Sequence, residues 1–117
     1  MNSYKELTVW QKSMELVRVI YLATGIFPKS EMFGLTSQMR RAAISIPSNI
    51  AEGFNRRHRK EFAQFLSIAY GSGAELETQV ELAKSLRFIK ERGFEKCDAL
   101  LQEVMKMLNK LIANLRR

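Results

Sequence analysis

The sequence has almost none of the side chains that build metal centres and disulfides. Its 117 residues include one cysteine, Cys97, and one histidine, His58. One cysteine cannot form an intramolecular disulfide, and with one histidine it is too few for a usual protein-only zinc site. We therefore expect no metal site.

Catalytic patterns are missing as well. His58 has neither a carboxylate nor a nucleophile nearby in the sequence, and no second histidine exists to activate a serine. Glu-x-x-His pairs, which di-iron bundles use, do not occur. The run GSGAEL at residues 71–76 lacks the final glycine of a dinucleotide-binding loop. We predict no catalytic residue, no cofactor and no enzymatic activity.

Long apolar runs are absent too. No stretch approaches the ~18 apolar residues that span a bilayer, and the first residues lack the basic-then-apolar order of a secretory signal. These features predict a cytoplasmic protein with no membrane partner.

Four amphipathic segments are present, and no segment has a strand pattern. The predicted helices cover about residues 5–24, 35–55, 59–91 and 95–115. Short connections between them predict an all-α, antiparallel up-down four-helix bundle, with residues 1–117 as one domain. On the first helix, the predicted core stripe is Leu7, Trp10, Met14, Val17 and Tyr21.

The second helix contains Pro47. Proline has no N–H for the Ala43 carbonyl, and its ring presses on that carbonyl. We predict that the helix bends near Pro47, or that two short helices meet at residues 45–47.

A polar face lies next to this proline. It has two interpretations: small residues that allow close helix packing, or an oligomer or partner interface. The residues concerned are Ser45, Ser48, Asn49 and Glu52.

The net charge of +7 is unevenly distributed. Residues 1–60 hold ten basic and four acidic side chains, whereas residues 61–117 hold nine and eight. This imbalance favours an acidic partner such as RNA or DNA, although a solvated basic surface would look the same. The tail from Lys106 to Arg117 is weaker evidence, because cations favour a helix C-terminus anyway. The candidate nucleic-acid-binding residues are Arg40, Arg41, Arg56, Arg57, Arg59 and Lys60.

Four runs carry a family resemblance: LTVWQK at 7–12, FGLTSQMRRAA at 33–43, SIPSNIAEG at 45–53 and AELETQ at 74–79. In this order, over residues 7–112, the chain resembles the four-helix-bundle 23S rRNA intervening-sequence proteins of bacteria. That family is similar to the accessory protein of diversity-generating retroelements. The resemblance implies a basic homopentamer that binds nucleic acid and a reverse-transcriptase-like or other protein partner.

Two hypotheses follow. One is an oligomer that binds nucleic acid through phosphate contacts. The other is a protein-interaction scaffold whose helix-2 polar face makes subunit or partner contacts, without nucleic-acid binding.

Overall fold

The computed structural model describes residues 2–117, apart from the side chain of residue 91. It contains four α-helices, α1 (Thr8–Thr24), α2 (Leu35–Asn55), α3 (Arg59–Ser85) and α4 (Glu95–Leu115), and no strand within the described residues. The predicted all-α class and the four helices are therefore confirmed.

The helices pack in chain order around one core. α2 contacts both α1 and α3, and α4 contacts α3 and closes against α1. The 27 residues of α3 span about 40 Å at 1.5 Å per residue, which matches the longest dimension of 43 Å. The core includes Leu16, Ile20, Met39, Ile46, Ile50, Leu66, Leu76, Val80, Val104 and Leu108. None of the helices in the described residues is apolar over enough length to cross a bilayer.

The predicted core stripe of the first helix is only partly correct, since Leu7, Trp10 and Val17 are partly buried against the core. The fully buried side of α1 carries Val9, Leu16 and Ile20, and Tyr21 is 41% exposed. Two polar residues share this buried side, because their hydroxyl groups donate to carbonyls of the same helix. Ser13 Oγ donates to the Trp10 carbonyl at 2.8 Å, and Thr24 Oγ1 donates to the Ile20 carbonyl at 2.7 Å.

The second helix runs through its proline. α2 is continuous from Leu35 to Asn55, with Pro47 buried inside it, so the alternative of two short helices is wrong. The bend near Pro47 stays a prediction.

Two predicted boundaries also shift. α1 begins at Thr8, after a 3-10 turn at Tyr4–Glu6 that Ser3 and Glu6 close with a capping box. α3 ends at Ser85, several residues before the predicted end, because Arg87 adopts a left-handed φ of 60°. The amides of Arg87 and Phe88 donate to the Lys84 and Ala83 carbonyls, which is the Schellman pattern of helix termination.

Glycines in α2 and α3 differ in what surrounds them. A Cβ at Gly53 would lie 2.6 Å from Phe65 Cβ, so α2 and α3 approach too closely there for a larger residue. A Cβ at Gly73 would meet Met105 Sδ of α4, whereas a Cβ at Gly71 would meet no atom within 4 Å. Gly53 and Gly73 are therefore packing positions, and Gly71 is not.

We expect Gly53→Ala and Gly71→Ala to change stability in opposite directions. Gly71→Ala should raise the free energy of unfolding by up to about 1 kcal/mol, because alanine favours the helix and meets no neighbour. Gly53→Ala should lower it by about 1–2 kcal/mol through overpacking against Phe65. Urea denaturation measures both, and equal effects of the two variants would contradict the close α2–α3 contact.

Candidate nucleic-acid interface

Four segments of the chain meet at one end of the bundle. A guanidinium N–H of Arg59, at the start of α3, donates to the Asn114 carbonyl near the end of α4 at 2.9 Å. Arg116 donates to Ser67 Oγ at 3.2 Å. The start of α1 lies beside the last turns of α4, since Leu7 and Val9 line one depression with Met107, Lys110 and Leu111.

We call this the basic end: residues 5–9, 51–63 and 110–117. It holds eight basic and three acidic side chains. Because like charges repel, so many cations in a small volume favour a polyanionic partner. The basic residues are Lys5, Arg56, Arg57, Arg59, Lys60, Lys110, Arg116 and Arg117.

The turn between α2 and α3 is held by its aromatic residues and its backbone. Phe54 and Phe62 pack edge to face with ring centroids 5.8 Å apart. Arg57 ends the α2 segment with a left-handed φ of 63°, and its amide donates to the Phe54 carbonyl at 3.3 Å. This conformation turns the chain sharply and leaves the basic side chains of residues 56–60 exposed.

The basic side chains of the turn differ in how many partners they already have within the chain. Arg56 lies 3.7 Å from the Glu52 carboxylate and 5.2 Å from the centroid of the Phe65 ring. Arg59 uses one N–H on Asn114, while a guanidinium has five N–H donors. For Arg57, Lys60 and Arg117, the described part of the chain offers no hydrogen-bond or ion-pair partner, so their charges are available to a ligand.

The other two predicted arginines lie far from this end. Arg40 is 16 residues before Arg56 on the same helix, which corresponds to about 24 Å. Its Nε donates to Thr24 Oγ1 at 2.9 Å, and its guanidinium carbon lies 4.4 Å from the centre of the Tyr21 ring. Arg40 therefore braces α1 against α2, while Arg41 is exposed between two surface grooves.

The polar face of α2 is partly used within the chain. Ser45 Oγ lies 2.8 Å from Ser72 Oγ of α3, and Asn49 Nδ2 donates to the Ser45 carbonyl at 2.8 Å. Ser48 and Glu52 are exposed, and Glu52 pairs with Arg56. The close-packing interpretation thus describes Ser45 and Asn49, and the interface role of the four residues stays a prediction.

Sequence reasoning did not join the C-terminal tail and Lys5 to the basic turn. The available signal was the antiparallel order itself, because the end of a fourth helix lies beside the start of the third. In the structure, contacts between Arg59 and Asn114 and between Arg116 and Ser67 join the tail to the start of α3. The depression lined by Leu7 and Lys110 joins the segment that contains Lys5 to the tail.

A comparison with known protein families shows which group this sequence matches. The sequence profile of the 23S rRNA-intervening sequence proteins matches residues 5–110. The chain belongs to this family. A crystal structure of a protein of unknown function from the S23 ribosomal protein family of Bacteroides thetaiotaomicron superposes with a TM-score of 0.80 at 28% sequence identity. The match covers 90% of this chain and 95% of that one.

Family membership confirms the resemblance seen in the sequence, but it does not assign a biochemical role. The structural neighbour is itself of unknown function, and no curated protein matches the chain.

Shifted pKa values in this family member occur at the opposite end of the bundle. A hydrogen bond of 2.7 Å from Lys84 Nζ to Asp98 Oδ2 raises the pKa of Lys84. Burial raises the pKa of the Cys97 thiol to about 12. The hydrogen bond between Lys84 and Asp98 ties α3 to α4. Because its thiol is buried, Cys97 is a packing residue that forms little thiolate at neutral pH. Among the described residues, no three His, Cys, Asp or Glu side chains are grouped to hold a metal ion.

Arg57 and Arg87 provide a matched pair for testing the strained backbone. Both residues have left-handed φ values, 63° and 60°, one at each end of the bundle. Glycine tolerates that region without the steric cost of a Cβ. We expect Arg57→Gly and Arg87→Gly each to raise the free energy of unfolding by up to about 1 kcal/mol. Thermal and urea denaturation test this, and a loss of stability in both variants would contradict the assigned backbone conformation.

Proposed function

We propose that this protein is a non-enzymatic, nucleic-acid-binding member of its family that contacts phosphate groups through its basic end. The observation that carries the proposal is the meeting of four chain segments with eight basic and three acidic side chains. All eight of those cations are exposed, and Arg57, Lys60 and Arg117 have no hydrogen-bond or ion-pair partner within the described residues. Phosphate groups of RNA or DNA offer a matching row of negative charges.

Contacts to phosphates, with little reading of bases, suit this surface best. Base stacking needs an accessible aromatic face, but Phe54 and Phe62 are half-buried and pack against each other. Arginine and lysine side chains on an exposed turn bind the backbone and carry no direct sequence information. We therefore expect binding that depends strongly on salt and weakly on sequence.

We further propose that the protein acts as a homo-oligomer, with the pentamer suggested by its family resemblance. Several copies of the basic end on one polyanion would raise the overall affinity through effective concentration. A reverse-transcriptase-like or other protein partner is part of the same proposal, and the exposed Ser48 and Glu52 on α2 offer it a polar surface.

The scaffold hypothesis remains as the second candidate. It is favoured by exposed apolar side chains on α1 and α2, among them Tyr21 and Ile44, which suit a protein partner. In that case the positive charge would only keep the protein soluble, and even the wild-type protein would bind nucleic acid weakly.

A charge reversal at each end of the bundle separates the two candidates. The first variant replaces Arg57, Lys60 and Arg117 with glutamate; these positions are chosen because Arg56 and Arg59 also hold the fold. The control replaces Arg87, Lys90 and Arg92, which are exposed at the other end, and changes the net charge equally. Affinity for a random-sequence single-stranded RNA is measured at several salt concentrations.

We expect the first variant to bind RNA at least tenfold more weakly than the control variant. Its log–log salt slope should also be flatter by about 0.7 for each lost phosphate contact on a single strand. Circular dichroism should show unchanged helix content in both variants, because exposed substitutions rarely change stability by more than about 0.5 kcal/mol each. Equal weakening by both variants would reject the basic end as the binding site and leave only a general charge effect.

A further inference from the structure

An apolar groove runs between α1 and α2 on the surface of the bundle. One depression of about 310 Å³ lies between Trp10, Met14 and Val17 of α1 and Ile44 of α2, and a second of about 260 Å³ continues past Ile44 to Phe33. Phe33 is 97% exposed and Ile44 is 41% exposed. We call this the α1–α2 groove. Trp10, Met14, Val17 and Tyr21 of the predicted core stripe line it.

The outer side of α3 presents a second unpartnered stripe. Ile68, Gly71, Glu75, Thr78 and Leu82 follow one another at three- and four-residue steps, so they lie along one side of the helix. Ile68 is 52% exposed and Leu82 is 47% exposed. No atom lies within 4 Å of the Cβ position at Gly71. We call these five residues the α3 stripe.

We propose that the α3 stripe of one copy docks into the α1–α2 groove of the next copy. Both surfaces carry apolar side chains that a single chain leaves in water, and their mutual burial is favourable. Gly71 lets a neighbouring side chain approach the α3 backbone, and Phe33 is an exposed aromatic of the kind that anchors interfaces.

Charge complementarity selects a second copy as the occupant. Arg40 and Arg41 border the groove, and no acidic side chain lines it. Residues 61–83 of α3 contain four acidic side chains and no basic one, and Glu75 lies in the middle of the stripe. The groove of one copy and the stripe of another therefore attract each other, whereas groove against groove would oppose arginines.

This contact is heterologous and gives the proposed oligomer a ring geometry; it rests on that part of the proposed function. The groove and the stripe lie on adjacent sides of the bundle, since Arg41 of α2 borders both the α1–α2 groove and the α2–α3 groove that contains Glu75. A heterologous contact between adjacent surfaces turns each copy relative to the previous one, and it forms a closed ring when that rotation closes. In such a ring every basic end faces the same way.

Two single substitutions test the contact by complementation. Ile44→Glu damages only the groove, and Leu82→Glu damages only the stripe. Gln102→Glu, on an exposed position of α4, is the control for added charge. Light scattering at micromolar concentration measures the mass of each variant and of an equimolar mixture of the first two, and circular dichroism checks their helix content.

Each of the two variants should fall to the monomer mass of 13.5 kDa, while the control keeps the mass of the wild type. The mixture should form a one-to-one complex, because it contains one intact groove and one intact stripe. A mixture that stays monomeric, or variants that keep the wild-type mass, would overturn the contact.

A wild-type protein that is monomeric would also overturn the contact. RNA binding that remains sensitive to Arg57, Lys60 and Arg117 in the same preparation would then leave the proposed binding function intact. The two proposals therefore fail separately.

Discussion

The close approach of α2 and α3 at Gly53 is the constraint on which the rest of the structure depends. No side chain separates the two backbones there, since even a Cβ would come within 2.6 Å of Phe65. Immediately beyond this contact the chain reverses through Arg57, and Phe54 and Phe62 pack across the reversal. The position of the basic turn is thus set by packing inside the bundle, so closely packed helix ends support its charges.

That support also determines which charges meet. With α3 held against α2, the antiparallel order brings the end of α4 beside the start of α3, where Arg59 reaches the Asn114 carbonyl. Arg59 therefore satisfies a carbonyl that the end of a helix leaves without an amide partner, and it keeps further N–H groups for a ligand. One arrangement of helices produces both the stability of this end and its positive potential.

Much of the fold could be predicted from the sequence, because helix periodicity is a local property. In α4, Cys97, Leu101, Val104 and Leu108 follow one another at three- and four-residue steps in the sequence, and all four are buried. The side of α1 that faces the core could not be predicted, since Trp10 and Tyr21 look more suitable for a core than Ser13, whose burial depends on a hydrogen bond within its own helix. Only part of the candidate site could be predicted, for a similar reason. The basic turn is a local feature of the sequence, whereas its proximity to Arg116 and Arg117 depends on the tertiary packing of the helices.

The most direct test of phosphate binding at the basic end is to map the contact on the wild-type protein. Backbone amide resonances are recorded by NMR while a short random-sequence RNA is added, at low salt and again at higher salt. We expect perturbed amides in residues 5–9, 56–60 and 110–117 together, with the perturbations lost at higher salt as counterions compete. Perturbations centred on residues 84–96, or no perturbations at low salt, would contradict phosphate binding at the basic end.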